Sequence, residues 1–109
     1  MAVITALDSV KDIVLKYIEV LKEEINLQSV YIFGSSVKGL ITEDSDIDVA
    51  VISNDFTGDM ITDTFRLMKL RRKVDSRLEP HPFTSEDFNT DNPFVKEILK
   101  KNIKIYDKG

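Results

Sequence analysis

The stretch that decides the fold is YIFGSSVKGLITEDSDIDVAVI, residues 31–52. Its flanks, SVYIF at 29–33 and IDVAVI at 47–52, are runs of β-branched and aromatic residues. Such runs, bounded by glycine and polar residues, read as short buried strands. Between them lies a polar loop, roughly residues 34–45. The first strand stops at Gly34-Ser35-Ser36. Glycine lets the backbone come close to a ligand, and the N–H groups of such a turn, with a hydroxyl beside them, suit a phosphate. The second strand starts at Asp46-Ile47-Asp48. The period of two puts both carboxylates on one face, about 6.6 Å apart along the strand. Two oxygen ligands at that spacing can grip one hard cation such as Mg²⁺. Like charges side by side repel, and a cation relieves the repulsion. Taken singly, these are an ordinary turn and two exposed aspartates. Together they place a phosphate turn and a metal pair on one edge of a sheet, provided the two strands are neighbours.

Outward from this stretch, residues 8–24 read as a helix. Val10, Ile13, Val14, Tyr17, Ile18 and Leu21 recur at three- and four-residue spacing, and Asp8 or Ser9 is suited to cap the start. Residues 60–72 read as a second helix. Ile61, Phe65 and Met68 form its apolar stripe, and Arg71, Arg72 and Lys73 crowd the end where cations suit the dipole. Residues 74–79 read as a third strand, with Val74, Ser76 and Leu78 on one face and Asp75, Arg77 and Glu79 on the other. Pro80 and Pro82 limit its central pairing. A third helix is expected over 93–101, with Pro93 in its first turn, and IKIY at 103–106 is a short fourth strand. The order α-β-β-α-β-α-β predicts an α/β (α+β) fold with a mixed sheet of about four strands and helices packed on one face.

The bulk properties narrow the function. A length of 109 residues predicts a single domain over 1–109. Hydrophobic content of 42% with 31% charged residues is that of a folded globular chain. There are no cysteines, which removes disulfides and thiolate metal sites and fits a reducing compartment. The single histidine, His81, rules out a zinc site built from several histidines of one chain. No apolar run approaches the roughly 20 residues needed to span a bilayer, and residues 1–12 lack the pattern of a signal peptide. The expectation is a cytoplasmic protein without membrane association. The net charge of −4 argues against nucleic acid as a partner.

Gly34-Ser35, a ten-residue spacer, then Asp46-Ile47-Asp48 resembles the signature of the DNA polymerase beta-like nucleotidyltransferases. The chain is most similar to the smallest members, the minimal nucleotidyltransferases. Gly39 within the spacer and Ser45 directly before Asp46 also look like that family. The C-terminal NPFVKEILKKNIKIY, residues 92–106, resembles its closing helix and strand, though less specifically.

The resemblance implies transfer of a nucleoside monophosphate, AMP by preference, from an NTP to an acceptor hydroxyl. Gly34 and Ser35 then hold the triphosphate, with Ser36 and Lys38 as further NTP-binding candidates. Asp46 and Asp48 hold Mg²⁺ (or Mn²⁺), two ions in the active complex. A third carboxylate on the next strand completes the catalytic set and accepts the acceptor's proton. Glu79 is the favoured candidate and Asp75 the alternative. The other reading of these two is a plain ion pair with Arg77. Arg71, Arg72 and Lys73 are read as dipole compensation. His81, between two prolines, is read as a fixed polar turn near the mouth of the site.

Two functional readings follow. One is an active enzyme; the other is a regulatory subunit with little activity of its own. About thirty residues follow the catalytic strands, fewer than the roughly 50 of a separate acceptor-binding domain, so a partner must supply the acceptor. The resemblance points to a small helical protein of the HEPN type, in a toxin–antitoxin pair with this chain as antitoxin. The sequence leaves the oligomeric state open, a homo-oligomer included.

Overall fold

The structure, a computed structural model, describes residues 7–37 and 45–109. Helix α1 (Leu7–Glu24) leads into strand β1 (Leu27–Phe33) and a 3-10 turn at Gly34–Val37. Then follow β2 (Ile47–Ser53), α2 (Met60–Arg71), β3 (Leu78–Phe83), α3 (Pro93–Lys100) and β4 (Asn102–Asp107). The strands form one mixed sheet in the order β3-β2-β1-β4. β1 runs antiparallel to β2 and to β4, and β2 runs parallel to β3. The expected fold class is therefore the one found. Among the described residues no helix is long and apolar enough to cross a membrane.

The apolar stripe of α1 meets one sheet face. Val10, Val14, Tyr17, Ile18 and Leu21 pack with Val30, Ile32, Ile47, Val49, Val51 and Leu78 in the main core. Each such aliphatic side chain contributes roughly 1.5–3 kcal/mol by leaving water. The opposite face carries a second cluster of Phe33, Ala50, Ile52, Phe83, Val95 and Ile98. Val95 and Ile98 belong to α3, so α1 and α2 share one face and α3 covers the other. Helices on a single face hold only for the longer two. The cause lies in β2, whose alternate residues Ala50 and Ile52 are as apolar as Val49 and Val51; both faces need cover.

Three local expectations are revised. α1 already includes Asp8 and Ser9, so neither is its cap; Asp8 instead sits in the first turn, where a negative charge suits the dipole. In α2 the buried residues are Asp63 and Leu67, while Met60, Ile61 and Phe65 are exposed. The stripe of Ile61, Phe65 and Met68 is real in spacing but does not face the core. Asp63 is buried because it is satisfied. Its carboxylate accepts from Thr57 N and Thr57 Oγ1 at 3.0 Å each and from Gly58 N at 3.1 Å, tying the preceding loop to the helix.

The third revision is β3, which begins at Leu78 rather than Val74. Residues 73–75 are instead the exit of α2: Lys73 N donates to Leu70 O, and Val74 N and Asp75 N both donate to Arg71 O. The strand then runs through Pro80 and Pro82. It does so at the sheet edge, where a strand has one unpaired side and missing N–H groups on that side cost no ladder bond. α3 starts as its sequence indicates, with Pro93 in the first turn and Asn92 Oδ1 accepting from Phe94 N at 2.9 Å.

Candidate active site

Because β1 and β2 are antiparallel neighbours, the end of one lies beside the start of the other. Phe33 pairs with Asp48, and Asp48 in turn pairs with Glu79 across the parallel β2–β3 ladder. Glu79 and Asp48 are therefore directly opposite on one face. That face is the one covered by α3, since Asp48 alternates with the core residues Ile47 and Val49 and shares its side with Ala50 and Ile52. Asp46 immediately precedes β2 and is exposed.

Gly34 turns the chain with φ of +76°, a conformation that favours glycine. A Cβ there would stand 2.6 Å from Asp48 Oδ2. The turn thus lies directly against the Asp48 carboxylate. Ser35 is exposed at the turn. Ser36 points the other way: it is 1% exposed, and its hydroxyl donates to the Asp46 carbonyl over a long 3.4 Å. Its position braces the turn against the start of β2. Lys38 and Gly39 lie outside the described residues.

The structure separates the two candidates for the third carboxylate. Asp75 sits in the turn before β3, and its carboxylate accepts from Arg77 Nε at 3.1 Å, from Arg77 Nη2 at 2.9 Å and from Arg77 N at 2.9 Å. The Arg77 guanidinium holds this carboxyl below the usual aspartate range, against a smaller opposing effect of burial. Glu79 is on the strand, opposite Asp48, with its side chain 41% exposed and Arg71 Nη1 3.8 Å from its Oε1. Arg71 Nη1 also donates to Leu78 O at 2.8 Å. The arginine read as dipole compensation therefore also links the end of α2 to the start of β3.

His81 is on the same face as Glu79, two residues on. Its Nε2 lies 3.3 Å from Asp48 Oδ1, and its ring packs at 5.2 Å from Phe33 and 5.4 Å from Phe94. It is a strand residue beside the carboxylates, not a turn residue. A period of two places it there once β3 is read through the prolines. Phe94 carries no comparable signal, because its position depends on how α3 crosses the sheet.

The donor set suits a hard divalent cation. Asp46, Asp48 and Glu79 offer carboxylate oxygens, and two of the three are cross-strand neighbours whose mutual repulsion a cation offsets. Among the described residues, no three acidic or histidine side chains are gathered closely enough to hold an ion. Glu79 is turned toward Arg71, and Asp48 toward His81.

Known proteins resemble this chain in sequence or in fold. A Methanocaldococcus jannaschii protein, named by inference as a protein adenylyltransferase, is 27% identical over 97 residues, covering 89% of this chain and 94% of that protein. A crystal structure from Sulfolobus solfataricus, described by inference as a nucleotidyltransferase, superposes with a TM-score of 0.65 at 18% identity, covering 94% of this chain and 84% of that one. A chain from the complex of tri-AMPylated Shewanella oneidensis HEPN toxin with MNT antitoxin superposes with a TM-score of 0.59 at 22% identity, covering 94% of this chain and 73% of that one. At these identities the two superpositions speak for the fold. The family described as Polymerase beta, Nucleotidyltransferase matches residues 16–109, which include the Gly34 turn, Asp46, Asp48 and Glu79. The chain belongs to the polymerase beta nucleotidyltransferase family, and it is a nucleotidyltransferase.

Proposed function

We propose that this chain transfers AMP from ATP to an acceptor hydroxyl on a partner protein, releasing pyrophosphate, at the face where the Gly34 turn meets Asp48. The observation that carries the reading is the close approach of the Gly34 turn to the Asp48 carboxylate, which sets the backbone of the turn beside the cross-strand pair Asp48 and Glu79. The relative named as an adenylyltransferase and the neighbour solved with an AMPylated partner favour AMP and a protein acceptor.

Asp46, Asp48 and Glu79 are the residues that would hold Mg²⁺ or Mn²⁺, which would supply charge neutralisation for the triphosphate and for the oxygens of the transfer. The protein's own part is positional. The bare backbone of Gly34 and the exposed hydroxyl of Ser35 receive phosphate oxygens. Ser36 fixes the turn to the strand that carries the aspartates. His81 orients Asp48 through its 3.3 Å contact. Glu79 accepts the proton of the acceptor hydroxyl; Asp75, occupied by Arg77, is the weaker candidate for that role. The test is transfer of label from α-labelled ATP to a small helical protein of the HEPN type. An unlabelled partner under Mg²⁺ and Mn²⁺ alike would reject transfer to a protein acceptor.

A second reading rests on the outward stripe of α2. Met60, Ile61 and Phe65 are exposed together, and an apolar patch of this kind marks an interaction surface. Lys69 lies over the Phe65 ring at 4.9 Å, and the exposed Arg72 and Lys73 follow. The patch therefore has a basic rim on a chain of net charge −4, which suits a helical partner with an acidic-edged apolar face. In this reading the chain is the regulatory, antitoxin subunit of a HEPN-type pair. A stable complex that Ile61→Asp abolishes, with no label transferred, would select it over the enzyme.

A further inference from the structure

A cleft of about 310 Å³ opens on the α3 side of Gly34, lined by Phe33, Gly34, Phe94, Glu97, Ile98, Lys100 and Lys101. Its size is at the low end for ligand pockets, enough for a base and ribose but not for a whole nucleoside triphosphate. Gly34 is its link to the carboxylates, because the same residue that lines the cleft lies against Asp48.

The wall that matters is Phe94. It is a large aromatic side chain, 43% exposed, yet it is held by three other rings. Phe33 meets it edge-on at 5.8 Å and 77°, His81 at 5.4 Å and 67°, and Phe83 lies tilted at 6.1 Å. Edge-to-face packing of this kind fixes a ring's orientation. Leaving such a ring open to water forgoes hydrophobic stabilisation. A partly exposed aromatic ring held in place next to a phosphate turn is what a nucleobase stacks on. Of the lysines lining the cleft, Lys100 is tied to Glu97 at 2.9 Å, whereas Lys101 makes no ion pair among the described residues and adds positive charge to a cleft that Gly34 also lines.

We infer that this cleft seats the nucleoside end of the NTP, with the base stacked on Phe94 and the polyphosphate passing over Gly34 toward Asp46 and Asp48. The inference rests on the NTP reading above and adds the residue that distinguishes a nucleotide from a bare polyphosphate. Stacking acts on any base, so Phe94 sets affinity for nucleotides as a class and not the choice among them.

The experiment compares binding of ATP and of inorganic triphosphate, each with Mg²⁺, to the unaltered chain, to Phe94→Ala and to Phe94→Trp. Phe94→Ala should weaken ATP roughly 5- to 150-fold, the range expected for one stacked base, and leave inorganic triphosphate unchanged. Phe94→Trp keeps a ring at this position, so it guards against a packing defect in the alanine variant. The chain has no tryptophan, so the Phe94→Trp variant carries a single reporter; ATP should change its fluorescence and inorganic triphosphate should not. Unchanged ATP affinity in Phe94→Ala, or indole fluorescence in Phe94→Trp that stays constant as ATP binds, overturns the stacking inference while the NTP reading stands. Failure of the unaltered chain to bind either ligand overturns both.

Discussion

Gly34 and Asp48 are packed so closely that a methyl group on Gly34 would stand 2.6 Å from Asp48 Oδ2. The backbone of Gly34 also has φ of +76°, where an L side chain is strained by roughly 1–3 kcal/mol. Gly34→Ala should therefore lower stability by about that amount and push the Asp48 carboxylate away from the turn. Denaturant unfolding measures the first effect. The second should appear as weaker binding of Mg²⁺-ATP. A variant with unaltered midpoint and unaltered ATP affinity would show that the close approach has no part in the site.

In the proposed site Asp46 and Asp48 supply the charge for cations, and neither belongs to the buried core. Asp46→Asn and Asp48→Asn should each abolish nucleotidyl transfer while melting close to the unaltered chain. Relief of carboxylate repulsion is worth a few tenths to about 1 kcal/mol, so a small rise in the metal-free melt is expected. ATP should bind more tightly with Mg²⁺ or Mn²⁺ than without, because naked triphosphate is repelled by the acidic face; in Asp48→Asn that gap should narrow. Full transfer activity in Asp48→Asn rejects the proposed mechanism.

The parts of the fold legible in sequence are those whose signal is local. β1 and β2 are dense β-branched runs, and their sequence limits agree with the structure to within two residues. The long stripe of α1 can face only the core. β3 is displaced from its sequence reading because Val74 to Glu79 alternates like a strand, while Pro80 and Pro82 argue against one; only the edge position in the sheet reverses that argument. The same displacement hides His81, whose neighbour Asp48 is 33 residues away in sequence. α2 shows the limit of periodicity. Its stripe of Ile61, Phe65 and Met68 has correct helical spacing, yet spacing does not say which side meets the core. The buried side is instead marked by Leu67 and by an aspartate, Asp63, whose partners come from the preceding loop.

Tyr17 gives the core a pH dependence. It is fully buried, and its hydroxyl donates to Leu67 O at 2.7 Å, joining α1 to α2. Burial pushes its ionisation far above the ordinary value of 10.0, with Arg71 opposing weakly. A pKa raised in the folded state gives stability that is full below pH 10 and lost as pH rises beyond it. Above about pH 10 this one group should add a slope of about 1.4 kcal/mol per pH unit to the loss of stability. Tyr17→Phe should cost about 1 kcal/mol at about pH 7 and remove that slope. Parallel stability curves for the two proteins from about pH 9 to about pH 11 would rule out the buried phenol as its source.

Asp75 and Glu79 can be told apart by measuring stability and chemistry together. Asp75 is bound by Arg77 through three hydrogen bonds, and its carboxyl is held below the ordinary 3.8. A depressed folded-state pKa means that its contribution is present above pH 3.8 and disappears as pH falls through the folded value. Asp75→Asn should therefore cost about 1 kcal/mol near neutral pH, and the deficit should fade under strongly acidic conditions. Transfer activity should survive. Among the described residues Glu79 has only the 3.8 Å approach of Arg71 to lose, so Glu79→Gln should melt nearly as the unaltered chain does. It should lower the rate of transfer far more than it lowers ATP affinity, because in the proposed mechanism it removes the proton acceptor and one cation ligand. The assay uses labelled ATP with the partner protein, beside thermal melts at neutral and acid pH. Activity lost in Asp75→Asn but kept in Glu79→Gln would move the third carboxylate to the turn before β3. Activity kept in both variants would leave Asp46 and Asp48 as the whole acidic site.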